Sequence, residues 1–118
     1  MNKYRNIKTV IDNITFDSAL EGRRYSFLKM MERAGEITGL KLQPKYLLQE
    51  SYLHKQKRIR EISYIADFEY TYNGKRITED CKGIKTEIYK MKLKMFQFRY
   101  PHINFYEVYK DNDLGGMV

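Results

Sequence analysis

The apolar and polar positions in the first part of the chain predict a hairpin followed by a helix. Apolar residues on both sides of Asp12-Asn13 indicate two short strands within residues 8–16. Ser18 and Glu21 have the spacing of a capping box, and Gly35 is the expected end of the helix. Apolar side chains recur on one stripe of this helix at about 100° per residue, and Glu21 lies at the edge of that stripe.

The middle of the chain has the alternating pattern of strands. Residues 40–49 predict a strand that is bulged or at a sheet edge, because Pro44 lies inside it. The polar residues 50–58 indicate a loop or the tip of a hairpin, in which His54 is typical of an ordinary loop histidine. Residues 59–72 give the strongest strand pattern in the chain, with apolar or aromatic side chains at alternate positions.

The last part of the chain predicts a second helix and one more strand. The helix covers residues 86–100 and ends before Pro101, the strand covers 103–109, and residues 111–118 are expected to form a flexible tail. The helix carries two apolar stripes, Tyr89-Leu93-Phe96-Tyr100 and Ile88-Met91-Met95-Phe98. We expect one stripe to pack on the sheet and the other on a second copy of the chain, in a homodimer. The predicted fold is a single α/β domain over residues 1–110, with a mixed, mostly antiparallel sheet flanked by two helices.

A tight turn at Asn73-Gly74 would fix the register of the two strands that it joins. If these two residues form the loop, the numbers of paired residues always sum to 147, so Asp67 faces Asp80. Lys82 follows two positions later and points to the same face. The opposite face carries mostly apolar side chains, among which Glu79 is the exception.

Two carboxylates that face each other repel, and a divalent cation between them would remove the repulsion. Mg²⁺ favours such a site, in which one or two carboxylates are completed by water and phosphate. Lys82 beside the pair would orient the attacking water or stabilise charge on a phosphate. The alternative is a solvated cluster of charges on an exposed sheet face.

Composition and charge favour a polyanionic partner. Lys and Arg number 22 against 15 Asp and Glu, which gives a net charge of +7. An excess of this size favours nucleic acid, although a basic protein without such a partner would show the same excess. The single cysteine excludes an internal disulfide, and the two separated histidines exclude a Cys/His zinc site. Because no apolar run has the length of a membrane span or the pattern of a signal peptide, we expect a cytoplasmic protein.

The most basic segment runs from Lys82 to Arg99, with six basic residues and one acidic residue. It is a candidate track for the DNA backbone, and a solvated helix face is the alternative. Backbone N–H groups at the start of the second helix also favour phosphate. Arg24 would bind phosphate or pair with a site carboxylate, unless it is an ordinary surface arginine. The residues expected to contact nucleic acid are Arg24, Lys85, Thr86, Lys90, Lys92 and Lys94.

Two short motifs resemble the signature of the PD-(D/E)XK nuclease superfamily. They are Ile65-Ala66-Asp67-Phe68 and Glu79-Asp80-Cys81-Lys82-Gly83. Ala66 replaces the proline of the signature, and the spacing to Lys82 selects Asp80 rather than Glu79. Most of the chain is also similar to a family of small phage-encoded proteins of unassigned function, which is usually placed near Holliday-junction resolvases.

The resemblance implies a restriction-endonuclease-like core and a Mg²⁺-dependent DNA endonuclease, with Mn²⁺ as a substitute ion. Asp67, Asp80 and the backbone carbonyl of Cys81 would then bind the metal. Glu21 would complete the site, and Lys82 would be the catalytic lysine. The substrate would be branched DNA in phage recombination or replication, in the cytoplasm of a bacterial host. The alternatives are a non-catalytic nucleic-acid-binding phage protein and a protein that inhibits host machinery by binding to it.

Overall fold

A computed structural model describes residues 8–82, 85–109 and 116–117 of the chain. The helices and strands in this part, in chain order, are β1 (Thr9–Ile11), β2 (Ile14–Phe16), α1 (Ala19–Arg33), β3 (Thr38–Leu42), β4 (Lys45–Gln49), β5 (Tyr52–His54), β6 (Lys57–Ile59), β7 (Ile62–Ile65), β8 (Phe68–Tyr72), β9 (Lys75–Cys81), α2 (Glu87–Arg99), β10 (Asn104–Val108) and β11 (Gly116–Met117). Strands that precede, separate and follow two helices confirm the predicted α/β class.

The N-terminal hairpin and α1 form where the sequence predicts them. Asp12 and Asn13 make the turn between β1 and β2, with φ of 54° and 62°. The Ser18 hydroxyl caps α1 by accepting a hydrogen bond from the Glu21 N–H at 3.1 Å. The hairpin contacts α1 closely at Gly22, where an added Cβ would lie 3.0 Å from Cγ2 of Thr9 in β1.

Two predicted long strands are each divided in the structure. The strand predicted over residues 40–49 is β3 and β4, and the one predicted over 59–72 is the end of β6 followed by β7 and β8. Gln43 has a φ of 51°, and Pro44 has no N–H for a ladder. On the opposite side, the Ala66 N–H donates to the Pro44 carbonyl at 3.1 Å. The break between β3 and β4 therefore lies opposite the break between β7 and β8. The hydrophobic pattern of either segment alone does not reveal these breaks.

The central sheet has five strands in the order β11-β10-β9-β8-β3. Strand β10 runs parallel to β9, while the other neighbours are antiparallel, which confirms the mixed, mostly antiparallel sheet. The pairing of Gly116–Met117 with β10 contradicts the prediction of a flexible tail at those two residues. The rest of that tail, and the first seven residues of the predicted domain, lie outside the described residues.

The two helices contribute to separate hydrophobic cores. The core beside α1 contains Tyr25, Leu28, Phe68, Tyr70 and Ile77, and the core beside α2 contains Tyr46, Tyr64, Leu93, Phe96 and Phe105. Truncation of a fully buried ring such as Phe96 costs about 3–5 kcal/mol, so each core contributes strongly to stability. Within the described residues, neither helix has the length and apolar character that crossing a membrane requires.

One apolar stripe of α2 packs on the sheet, and the other is exposed except at Met95, which is partly buried against the core beside α2. Tyr89, Leu93 and Phe96 are buried, whereas Phe98 is 89% exposed and Ile88 is 65% exposed. The prediction that one stripe covers the sheet is therefore confirmed. The homodimer that would cover the other stripe stays a prediction.

Candidate active site

An open cleft of about 460 Å³ brings together the carboxylates and the lysine that the sequence predicted. Its walls are the start of α1, strand β7, the end of β9 and the start of α2. The predicted site residues that line it are Glu21, Asp67, Asp80, Cys81, Lys82, Thr86 and Lys92.

The register of the two central strands is the predicted one. The pairs run from Phe68 opposite Glu79 to Tyr72 opposite Lys75, around the Asn73-Gly74 turn. Asp67 lies one position before β8, and its N–H still donates to the Glu79 carbonyl at 3.1 Å. The regular pairing therefore ends at Phe68 and Glu79, and the contact between Asp67 and Asp80 is one between their side chains.

The carboxyl groups of Asp67 and Asp80 are in hydrogen-bond contact in the cleft. Burial raises the pKa of Asp67 to about 9, with further contributions from the charge of Asp80 and a hydrogen bond to it. One Asp67 oxygen, Oδ2, accepts a hydrogen bond from the Cys81 N–H at 2.7 Å, which opposes the shift. At neutral pH Asp67 is accordingly protonated when no cation is bound, and this proton relieves the repulsion that the sequence predicted.

Asp80 is held by two further side chains. The Tyr64 hydroxyl donates to Asp80 Oδ2, and Lys82 Nζ lies 3.1 Å from the same oxygen. The Lys82 ammonium also lies 3.8 Å from the centre of the Tyr89 ring, a cation–π contact. The Tyr89 hydroxyl in turn donates to Glu107 Oε2 at 2.6 Å. Asp80 and Lys82 are thus fixed relative to each other by contacts from β7, α2 and β10.

The sequence analysis did not assign Tyr64 or Tyr89 to the site, since both fit the apolar patterns of a strand and a helix. The alternating pattern places Tyr64 correctly on a strand face, but its contact with Asp80 joins residues 16 positions apart. Both rings do belong to the core beside α2, and only their hydroxyl groups or ring faces reach the cleft. No local sequence signal distinguishes such a tyrosine from one that is purely structural.

Glu21 reaches the cleft from the first turn of α1. Its backbone N–H is held by the Ser18 cap, and the residue as a whole is 7% exposed. Burial, followed by the charges of Asp17 and Asp80, raises the pKa of Glu21. The structure therefore brings Glu21 into the electrostatic environment of the two aspartates, as predicted.

The donor set fits a magnesium ion. Asp67 and Asp80 supply adjacent carboxylate oxygens, the ligand type that Mg²⁺ prefers. A cation would oppose the burial and the charge of Asp80 that together raise the pKa of Asp67. Across residues 8–82, 85–109 and 116–117, no group of three or more His, Cys, Asp or Glu side chains is arranged to hold one ion. Glu21 is therefore not placed as a third side-chain ligand in this conformation. Two carboxylates with water and phosphate are a sufficient set for Mg²⁺.

Arg24 does not lie on a surface that could bind nucleic acid, so that prediction is wrong. Its side chain is 0% exposed, and its Nε and Nη2 donate to the two oxygens of Glu79 at 2.7 and 2.6 Å. The Tyr70 hydroxyl also donates to Glu79. This buried pair explains why a carboxylate occurs on the otherwise apolar face of β9, and it assigns Glu79 to the interior and Asp80 to the cleft.

The remaining predicted DNA contacts are divided between two surfaces. Thr86 and Lys92 line the cleft, where Lys92 Nζ donates to the Ser63 carbonyl at 2.9 Å. The other three, Lys85, Lys90 and Lys94, line a separate groove of about 500 Å³. There, Lys85 pairs with Glu107 at 2.8 Å and Lys90 pairs with Glu87 at 3.4 Å. The cleft thus contains Thr86 and Lys92 in addition to the predicted catalytic lysine, Lys82. In the second groove, ion pairs neutralise part of the positive charge.

Comparison with known proteins identifies the family. The family model described as "Protein of unknown function (DUF1064)" matches residues 1–114 of the chain. The chain belongs to this family. No curated protein and no solved structure gives a significant match. The family description carries no activity, so the function of this family member has to be argued from the chemistry of the cleft.

Proposed function

We propose that this member of the family is a Mg²⁺-dependent DNA endonuclease. The observation that carries the proposal is the Asp67–Asp80 carboxyl pair in an open cleft, with Lys82 Nζ at 3.1 Å from Asp80. Two acids and an ammonium group at such distances are a costly arrangement for a protein that makes no use of them. The same three residues match the motifs that resemble the PD-(D/E)XK signature.

The side chains of the cleft have separable roles in phosphodiester hydrolysis. Asp67 and Asp80 would hold the ion, and Tyr64 keeps Asp80 in position by donating a hydrogen bond. Bound there, Mg²⁺ would polarise the scissile phosphate and lower the pKa of a water molecule. Lys82 would place a positive charge beside the phosphate oxygens, where negative charge would increase as water adds and the sugar oxygen leaves.

Four acidic residues line the cleft beside its two lysines, so a phosphate-containing substrate would depend on the bound cation as well as on Lys82 and Lys92. Thr86 also lines the cleft, at the start of α2, where the helix dipole favours anions. The Thr86 hydroxyl and carbonyl already accept hydrogen bonds from the N–H groups of Tyr89 and Lys90, at 3.1 and 3.0 Å. These two N–H groups are therefore not available to a phosphate. Lys82 and Lys92 are therefore the main candidates for direct phosphate contacts. Branched DNA, and action in a bacterial host cell, are proposed from the family resemblance alone.

Cleavage assays with matched variants test the proposal. Labelled four-way junctions and linear duplexes are incubated with Mg²⁺ or Mn²⁺ and the natural chain, Asp80→Ala or Lys82→Ala. We expect cleavage by the natural chain and a loss of at least about 100-fold in both variants, since even indirect metal partners contribute about 10–100-fold. Glu36→Ala, which removes an exposed acid outside the cleft, is the control and should cleave normally.

A non-catalytic nucleic-acid-binding protein is the second candidate. It is favoured by the net charge of +7, which would attract a nucleic acid without any metal or chemistry. Equal cleavage by the natural chain and Asp80→Ala, or no cleavage by either, would support this candidate against the nuclease. Binding of DNA without cleavage would then be the expected property.

A further inference from the structure

A basic β-hairpin extends the ladder that forms one wall of the cleft. It comprises β5, β6 and the residues that flank them, residues 51–60, and is called the arm below. Strand β4 leads into it and β7 leads out of it, and these two strands also pair with each other. Among the described helices and strands, β5 and β6 make substantial contacts only with each other. The arm therefore projects from the domain instead of contributing to its core.

The arm is exposed and carries charge of one sign. Every residue from 49 to 58 is exposed, and residues 51–60 contain four basic side chains and no acidic one. Such a surface has no stabilising role in the interior, and its like charges repel one another. Its charge is complementary to a polyanion.

Cations lie on both faces of the arm. Leu53 pairs with Arg58 and His54 pairs with Lys57, so Lys57 and Arg58 point to opposite faces of the two-stranded ribbon. A flat anionic surface, such as a membrane, would contact only one of these faces. The groove of a nucleic-acid duplex has phosphates along both walls, and the major groove of B-DNA admits a two-stranded ribbon.

The turn of the arm places a further cation at its tip. Lys55 and Gln56 have φ of 50° and 66°. This left-handed conformation costs about 1–2 kcal/mol for a residue with a side chain, which is why Asn-Gly is the common choice. The chain uses Asn73-Gly74 for the equivalent turn between β8 and β9. At the arm it carries a lysine instead, despite the conformational cost.

The arm is close enough to the cleft to contact the same duplex. Lys55 precedes Tyr64, a cleft residue, by nine positions. Nine extended residues span at most about 32 Å, which is less than one turn of B-DNA at about 34 Å. Arg99, at the end of α2, contacts the Leu48 carbonyl and Glu50 at 3.3 Å, so the base of the arm adjoins α2. The start of α2 lines the cleft, and a helix of 13 residues is about 20 Å long.

We propose that the β5–β6 arm enters a groove of duplex DNA within one helical turn of the cleft and binds the phosphates on both sides through Lys55, Lys57 and Arg58. The choice of DNA rests on the proposed function, whereas the choice of a double-stranded polyanion rests on the arm itself. The arm would supply affinity and orient the duplex without taking part in the chemistry.

Salt-dependent binding of the full chain tests this proposal. The arm variant replaces Lys55, Lys57 and Arg58 with Gln. Binding to a labelled DNA duplex is followed by fluorescence anisotropy in EDTA, at salt concentrations from about 50 to 200 mM. Three phosphate contacts add about 2.7 to the slope of log affinity against log salt. Over this fourfold range, the natural chain should therefore lose about 40-fold more affinity than the arm variant.

The control removes the same charge elsewhere. It replaces Lys29, Arg33 and Lys75, which lie at the surface of α1 and at the β8–β9 turn, with Gln. Its salt dependence should equal that of the natural chain. Equal slopes for the arm variant and the control, no duplex binding by the natural chain, or tighter binding to duplex RNA would each overturn the proposal.

The two proposals fail in different ways. Binding in EDTA needs no metal and no cleavage, so the difference between the arm variant and the control measures the arm alone. A natural chain that binds duplex DNA through the arm and cuts nothing with Mg²⁺ would refute the nuclease and leave the arm proposal intact. Cleavage with an arm variant that binds as tightly as the control would do the reverse.

Discussion

Replacing Asp67 with Asn should alter how the stability of the metal-free protein depends on pH. In the absence of a cation, Asp67 is a protonated acid beside Asp80 and accepts a hydrogen bond from the Cys81 N–H. An asparagine side chain has the same shape as that acid, with one oxygen to accept and an amide group to donate. The Asp67→Asn variant therefore preserves the contacts but takes up no proton at this position when it folds.

The size of the effect follows from the shift of the Asp67 pKa, from 3.8 to about 9. Because the folded state binds the proton more tightly, folding takes one up, and stability decreases as the pH rises between these two values. From about pH 5 to about pH 8, the loss is about 4 kcal/mol, at about 1.4 kcal/mol for each pH unit. The raised pKa of Glu21 acts in the same direction.

Urea unfolding in EDTA measures this loss. The chain has 11 Tyr and no Trp, so far-ultraviolet circular dichroism is the suitable probe. We expect the free energy of unfolding of the natural chain to fall by several kcal/mol over this range, and that of Asp67→Asn to fall much less. Glu36→Gln, at an exposed position, should behave like the natural chain. A natural chain whose stability is constant over the range, or a variant that falls as steeply, would refute the reasoning.

Three further predictions concern the surroundings of the site. Glu79→Gln removes the carboxylate that pairs with the buried Arg24 guanidinium and should cost about 3–5 kcal/mol in urea unfolding. A loss below about 1 kcal/mol would contradict a fully buried pair. Tyr89→Leu removes the ring whose centre lies 3.8 Å from Lys82 Nζ, and it should lower kcat about 5–30-fold with little change in KM. Tyr89→Phe keeps the ring and should retain most of the activity. Equal losses of activity in both variants would exclude a role of the cation–π contact. Phe98→Asp should convert a dimer into a monomer in sedimentation at micromolar concentration, because Phe98 is 89% exposed; a natural chain that already sediments as a monomer would contradict this prediction.

The site geometry was largely predictable because it depends on local rules. Asn73-Gly74 sets a two-residue turn, and a fixed turn sets the register of every pair that follows it. Alternation then places Asp67 with Asp80 on one side of the sheet and Glu79 on the other. Glu21 was predictable in the same way, since Ser18 fixes the start of α1.

The features that were missed depend on contacts between distant parts of the chain. Arg24 and Glu79 are 55 positions apart, and neither position alone indicates a buried ion pair. The bend at Gln43 and Ala66 arises from two strands that turn together, so the continuous pattern of residues 59–72 conceals it. The arm was predicted as a loop or the tip of a hairpin, and the structure shows the hairpin. Its turn was not placed because the positive φ values of Lys55 and Gln56 are found at residues that do not favour them.

The close contact at Gly22 has a consequence for how related chains can differ. An added Cβ there would lie 3.0 Å from Thr9 Cγ2 and 3.2 Å from Ile11 Cδ1, which explains a glycine inside a helix at a cost of about 1 kcal/mol relative to alanine. A larger residue would push α1 away from the hairpin and carry Glu21 with it. In other members of the family, a bulkier side chain at position 22 should therefore occur together with smaller ones at positions 9 and 11, so that these three positions covary.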